Sequence, residues 1–340
     1  MKRTILYVVL AFIVAPIFVS CYQSHKKKLD LAYALVESRP DSALALMKHI
    51  DQEGLSKEEM AKYALTYYIA QDKSGLDLDN DSLIRIAYDW YEGHQEDSLY
   101  VLCLNYMGKF YLLVDSMEQA KSCLEKAYFI SDSLHKMNVK RLVLDKLIEV
   151  EEQLEPYKAL RYAKDMLKMY DSMANVTIYN KVATRLRLGE NFFYVGSLQH
   201  ALEEERKAYR MAMKAGDSNL LSYVRQNLAS TFEEIGDKDS CLYYARLAYD
   251  LNAANRFSCL LTFASAYISV DSLNQAFSLL NQALPKTAED RYSVFYFQSQ
   301  AAMKAQDFKS AKSFSDSAYH YLEDMYRTAL QGKAAYYTSF

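Results

Sequence analysis

Small and apolar positions recur along this 340-residue chain at the spacing of helical hairpins. From Gly108 the chain places Tyr111 three residues on, Ala120 twelve on, Leu124 sixteen on and Ala127 nineteen on. The same offsets recur from Gly189 (Phe192, Ala201, Glu205, Ala208), from Ala229 (Phe232, Cys241, Ala245, Ala248) and from Ala264 (Tyr267, Ala276, Leu280, Ala283). Steps of three and four keep each set on one helix face. A hairpin of this size cannot bury that face alone and must stack on its neighbours. The small residue opening each second helix is Ala43, a divergent Ile84, Ala120, Ala159, Ala201, Cys241, Ala276 and Ala311. These positions stand 35 to 42 residues apart and predict eight helix pairs. First helices carry an aromatic at Tyr68, Tyr111, Phe192, Phe232 and Tyr267; Val150 takes that slot in the pair over 143–166, where Pro156 suits the first turn of the second helix. The last helix runs on to about Tyr337, with Phe314, Ala318, Tyr321, Leu322, Met325 and Leu330 at helical spacing, as a cap on the stack.

Composition agrees with an all-α chain. There are 9 Gly and 4 Pro, so few residues interrupt a helix. The formal charge is −3, with 40 basic and 43 acidic residues spread evenly, which argues against nucleic acid as a partner. Asp-Ser occurs ten times, at Asp41, Asp81, Asp97, Asp115, Asp132, Asp171, Asp217, Asp239, Asp271 and Asp316. Most precede an apolar helical run, which points to helix capping. Asp-Ser before an apolar residue also resembles an O-glycosylation signal of exported bacterial proteins, with Ser42, Ser82, Ser98, Ser116, Ser133, Ser172 and Ser272 as acceptors.

The N-terminus has a different layout. Met1-Lys2-Arg3 is basic, Thr4 to Val19 is almost wholly apolar, and Ser20-Cys21 follows, the order of an export signal. The end resembles a bacterial lipobox, with Phe18 where Leu is usual, and marks Cys21 for lipidation. The alternative is an uncleaved anchor held by Lys26, Lys27 and Lys28. The position of the Cys favours the lipid. Cys103, Cys123, Cys241 and Cys259 lack metal-ligand spacing and read as free core thiols.

Chemistry is hard to find. The six histidines form no i, i+4 pair, and no phosphate loop, nucleophile elbow or H-E-x-x-H helix occurs. Glu203-Glu204-Glu205 reads as an exposed helix face, and the acidic stretch Gly75 to Asp81 lacks the central Gly and terminal Glu of a calcium loop. The expectation is no catalysis, no metal and no cofactor.

The offsets above resemble the tetratricopeptide repeat (TPR), over roughly residues 27–320. The match is clear at 101–128, 182–209, 222–249 and 257–284, although Leu104, Arg185, Arg225 and Leu260 stand where the family favours Trp. The resemblance implies an α-solenoid, a right-handed superhelix of about eight helix pairs that holds a protein or peptide in its concave face. In the family frame that face carries Asn105, Lys109, Glu190, Phe193, Tyr223, Gln226, Ser230, Tyr296 and Gln300. The expected organisation is an export signal over 1–20, a tether over 21–28, the array over 29–318 and a continuing helix over 319–340 as the cap. Function is expected to be scaffolding by a lipid-anchored array in the envelope of a Gram-negative bacterium, facing the periplasm. The layout is also similar to the sensor half of membrane-bound regulators whose effector parts lie further on. A carbohydrate-uptake role fits less well, since Trp90 is the one Trp for stacking sugars.

Overall fold

The computed structural model describes residues 26–76, 78, 81–94, 98–135, 137–251 and 253–338, with side chains described to Thr328. Cys21, the export signal and Asp77, Asp79 and Asn80 of the acidic stretch lie outside the described residues. Among those described there are sixteen helices and no strand. Packing divides the chain into two compact units, Met1–Leu147 and Ile148–Phe340, and the division falls inside one continuous helix where the sequence shows no break.

The first unit holds α1 (26–35), α2 (Pro40–Met47), α3 (Lys57–Lys73), α4 (Ser82–Tyr91), α5 (Ser98–Leu113), α6 (Met117–Ser133) and the start of α7 (Met137–Leu154). Ser56 and Glu59 form a reciprocal cap on α3, so that helix begins where its free N–H groups find acceptors. In the hairpin α5–α6, a Cβ on Gly108 would lie 2.6 Å from Leu124 Cγ. Glycine is required there because the two helices close on that leucine. Residues Tyr100 to Gly108 of α5 are all buried, as expected of a helix with almost no polar stripe.

The second unit continues from Ile148 with the rest of α7, then α8 (Pro156–Ser172), α9 (Ile178–Tyr194), α10 (Leu198–Ala215), α11 (Ser218–Ile235), α12 (Lys238–Tyr249), α13 (Arg256–Ser269), α14 (Leu273–Leu280), α15 (Ala288–Lys304) and α16 (Phe308–Thr338). Its core runs between pairs, through Val182, Leu202, Ala208, Val224, Leu228, Phe232, Cys241, Ala245 and Phe263. All eight predicted second-helix positions, from Ala43 to Ala311, are buried to 2% exposure or less across the two units. α16 packs on α15 through Phe295, whose ring stacks on Tyr321 at 5.8 Å.

The turns inside the pairs share one device. Asp115, Gly196, Gly236, Asp271 and Gln306 stand seven residues after Gly108, Gly189, Ala229, Ala264 and Ser299, and each has φ between 53° and 86°. The next N–H then donates to a carbonyl five residues back, Ser116 to Tyr111 at 2.7 Å, Asp237 to Phe232 at 3.0 Å and Ser272 to Tyr267 at 2.9 Å. This closes the helix C-terminus and reverses the chain. It also corrects the reading of Asp-Ser as a cap. Among the described residues Asp217 does cap, accepting from Asn219 and Leu220 N–H, but Asp115 and Asp271 serve by tolerating the left-handed backbone. Ser116 is 6% exposed and therefore closed to a glycan.

Candidate functional site

In the second unit the first helices α9, α11, α13 and α15 lie side by side, and polar side chains join each to the next. Asn191 Nδ2 of α9 donates to Glu152 Oε1 of α7 at 2.9 Å, and Arg187 reaches the other oxygen of Glu152 at 3.3 Å. Asn227 Nδ2 of α11 donates to Glu190 Oε1 at 2.8 Å. Gln226 accepts from Asn255 Nδ2 at 3.1 Å and donates to Ser258, while Ser265 Oγ of α13 donates to Glu233 at 2.8 Å. Lys304 of α15 donates to the Ile268 and Ser269 carbonyls and pairs with Asp271 at 3.0 Å. Each link joins residues 29 to 39 positions apart, close to one repeat. Partly buried bonds of this kind contribute about 0.5–1.5 kcal/mol each and, together, fix the register of one first helix on the next.

The electrostatics at α7 and α9 follow from crowding. Burial raises the Glu152 carboxyl above its ordinary value and outweighs Arg187 and Asn191, while Glu190 and Glu149 push the same way as burial. The Tyr194 phenol is raised by burial and by Glu190 and Glu152. Beneath this row Glu205 is 1% exposed, accepts from Thr231 Oγ1 at 2.8 Å, and is pushed by burial up to about 7. Its other oxygen finds no donor among the described residues.

No family profile matches the chain, and no curated protein matches it. Solved structures do. RapI in its apo form superposes with a TM-score of 0.67 at 14% identity, over 88% of this chain and 86% of that one. NprR in complex with its cognate peptide NprX gives 0.60 at 16% identity, over 86% and 87%. The signal-transduction ATPase PH0952 of Pyrococcus horikoshii, with a tetratricopeptide repeat sensor, gives 0.60 at 14% identity, over 89% of this chain and 49% of that protein. The fold is the tetratricopeptide-repeat fold.

The predicted surface residues fall into four groups. Tyr223 and Tyr296 are 48% and 43% exposed, and Gln300 is exposed one turn beyond Tyr296. Phe193 and Ser230 are half-buried. Glu190 and Gln226 are engaged by the next helix, and Lys109 in the first unit pairs with Asp72 of α3. Asn105 is different: it is 5% exposed, within the stretch Tyr100 to Gly108 of α5 that is buried throughout, so it offers no contact to a partner. Reading the sequence missed Glu152, Arg187, Asn191, Asn227, Asn255 and Ser258. A search for polar pairs one repeat apart on first helices would have found several of them.

The chemistry available is recognition. Fixed amides and carboxylates frame exposed tyrosines, a combination that gives contact area and hydrogen bonds with little ordering cost. The described residues include no helix long and apolar enough to cross a membrane. The described cysteines carry free thiols, three of them buried.

Proposed function

We propose that this chain is a non-catalytic TPR scaffold that holds a peptide or an extended segment of a partner protein along the first helices of its second unit. A lipid on Cys21 tethers it to the cell envelope, with the array facing the periplasm of a Gram-negative bacterium. The observation that carries the binding reading is the contrast along one row: Glu190, Asn191 and Gln226 are bound to neighbouring helices, while Tyr223, Tyr296 and Gln300 are left exposed. A surface already fixed by internal bonds orders little on binding, and tyrosine is efficient contact material. NprR, similar in fold, is a precedent because it holds its cognate peptide NprX. The tether rests on the basic, apolar and Ser-Cys order at the N-terminus.

Crosslinking in envelope extracts tests the binding. A product formed by the native protein and by a Tyr157→Ala/Tyr243→Ala control should be lost in Tyr223→Ala/Tyr296→Ala. Retention in the row variant refutes the reading. Labelled palmitate should enter the native chain and not Cys21→Ala; incorporation that survives the substitution, or none in the native chain, refutes the tether. The likeness to the PH0952 sensor favours a second reading, an input domain that passes occupancy to an effector. On that reading, occupancy of the row changes the activity of the regulator's effector part.

A further inference from the structure

The C-terminal half of α10 concentrates positive charge on residues other than those named for the first-helix row. The acidic residues of this helix, Glu203, Glu204 and Glu205, all precede its basic ones, and from Arg206 to Lys214 there are four cations and no acid. Lys207, Arg210 and Lys214 follow at steps of three and four and so share one face. They border an open groove of about 470 Å³ that Arg185 of α9 completes, with Met211 and Met213 contributing an apolar wall. Glu204 holds the ends of Arg185 and Lys207, Arg185 at 2.7 Å. Arg210 and Lys214 are exposed, and neither forms an ion pair among the described residues. Met213 is 51% exposed beside them.

We propose that this groove binds an acidic peptide segment, one that sets an Asp or Glu beside an apolar side chain. The carboxylate meets Arg210 and Lys214 in charge-assisted bonds, and the apolar neighbour covers Met211 and Met213. The open shape selects a peptide over an acyl chain, since a lipid tail in an open trough keeps one side in water, whereas sites for such ligands enclose most of their surface. One cation in the last turn is explained by the helix dipole alone; a face of three with an apolar wall is not.

A random peptide library displayed on phage, selected on the full chain, tests this. Enriched sequences should pair Asp or Glu with Leu, Phe or Met, bind Tyr223→Ala/Tyr296→Ala as well as the native chain, and lose at least ten-fold in affinity on Arg210→Glu/Lys214→Glu. The exposed control Lys238→Glu/Lys309→Glu should bind normally, and circular dichroism confirms that each variant is folded. Sequences no more acidic than the library overturn the proposal, as does equal binding to the reversed variant. Phosphatidylglycerol vesicles that require Arg210 and Lys214, with no peptide enrichment, overturn it in favour of a lipid surface. Failure of the row variants leaves this result intact, so the two surfaces are judged separately.

Discussion

Glu205 occupies the slot that Leu124 fills in the first unit, sixteen residues after the glycine on which its hairpin closes. Replacing it with leucine tests whether the buried carboxyl is a liability. Burial moves Glu205 from its ordinary value of 4.5 to about 7, with the Thr231 hydroxyl opposing and Glu190 reinforcing. The sign follows from which state holds the proton. Below about 4.5 both states are protonated and the group costs nothing through ionisation. Between about 4.5 and about 7 the unfolded chain loses its proton while the folded chain keeps it, so stability falls as pH rises. Above about 7 both are ionised and the loss is constant, at roughly 3 kcal/mol as an upper figure. Glu205→Leu removes this slope. It also leaves the Thr231 hydroxyl without its acceptor, a cost of about 1 kcal/mol that does not vary with pH. Hydrogen exchange of the amides in α9–α11 suits the measurement because Trp90 lies in the first unit and does not report on this one. The opening free energy of Glu205→Leu minus that of the native chain should rise by about 2–3 kcal/mol from about pH 5 to about pH 8. A difference that stays level across that range refutes the assignment of a buried, late-ionising carboxyl.

Further predictions concern the hairpins and thiols. Gln306 holds φ 60° without being glycine, so Gln306→Gly should stabilise the second unit by about 1 kcal/mol, and Gly236→Ala, at φ 86°, should destabilise it by a similar amount in urea unfolding. Gly108→Ala places a methyl 2.6 Å from Leu124 and should cost about 1–3 kcal/mol. Gly189→Ala meets the flexible Glu205 side chain at 3.1 Å and should cost less, so an equal loss at both sites contradicts the packing argument. Cys241 is buried and its thiol is pushed up to about 12, so it should resist alkylation at neutral pH until the protein unfolds.

The repeat, the pairing of helices and the buried small residues were all legible, because a helix face is a local property written at steps of three and four. Ala201 and Ala276 can be read as inter-helix positions without coordinates for that reason. The capping reading of Asp-Ser failed at Asp115 and Asp271 because sequence shows a turn-forming residue but not whether its side chain or its backbone does the work. The binding surface was half legible. The TPR frame gave the register of Tyr223 and Tyr296, yet it also named Asn105, whose burial depends on what encloses α5.

By itself, then, the sequence determined that this chain folds as stacked helical hairpins and which residues each hairpin closes upon. Only the tertiary structure decided that α7 is where the two units divide, that Glu152, Glu190 and Gln226 are held by the next helix, and that α10 turns a basic, apolar face outward. Periodicity records how one helix meets its partner, because that contact repeats along the chain. Which polar group pairs with which, and which is left for another molecule, depends on distances between segments about a repeat apart, and those exist only once the hairpins have stacked.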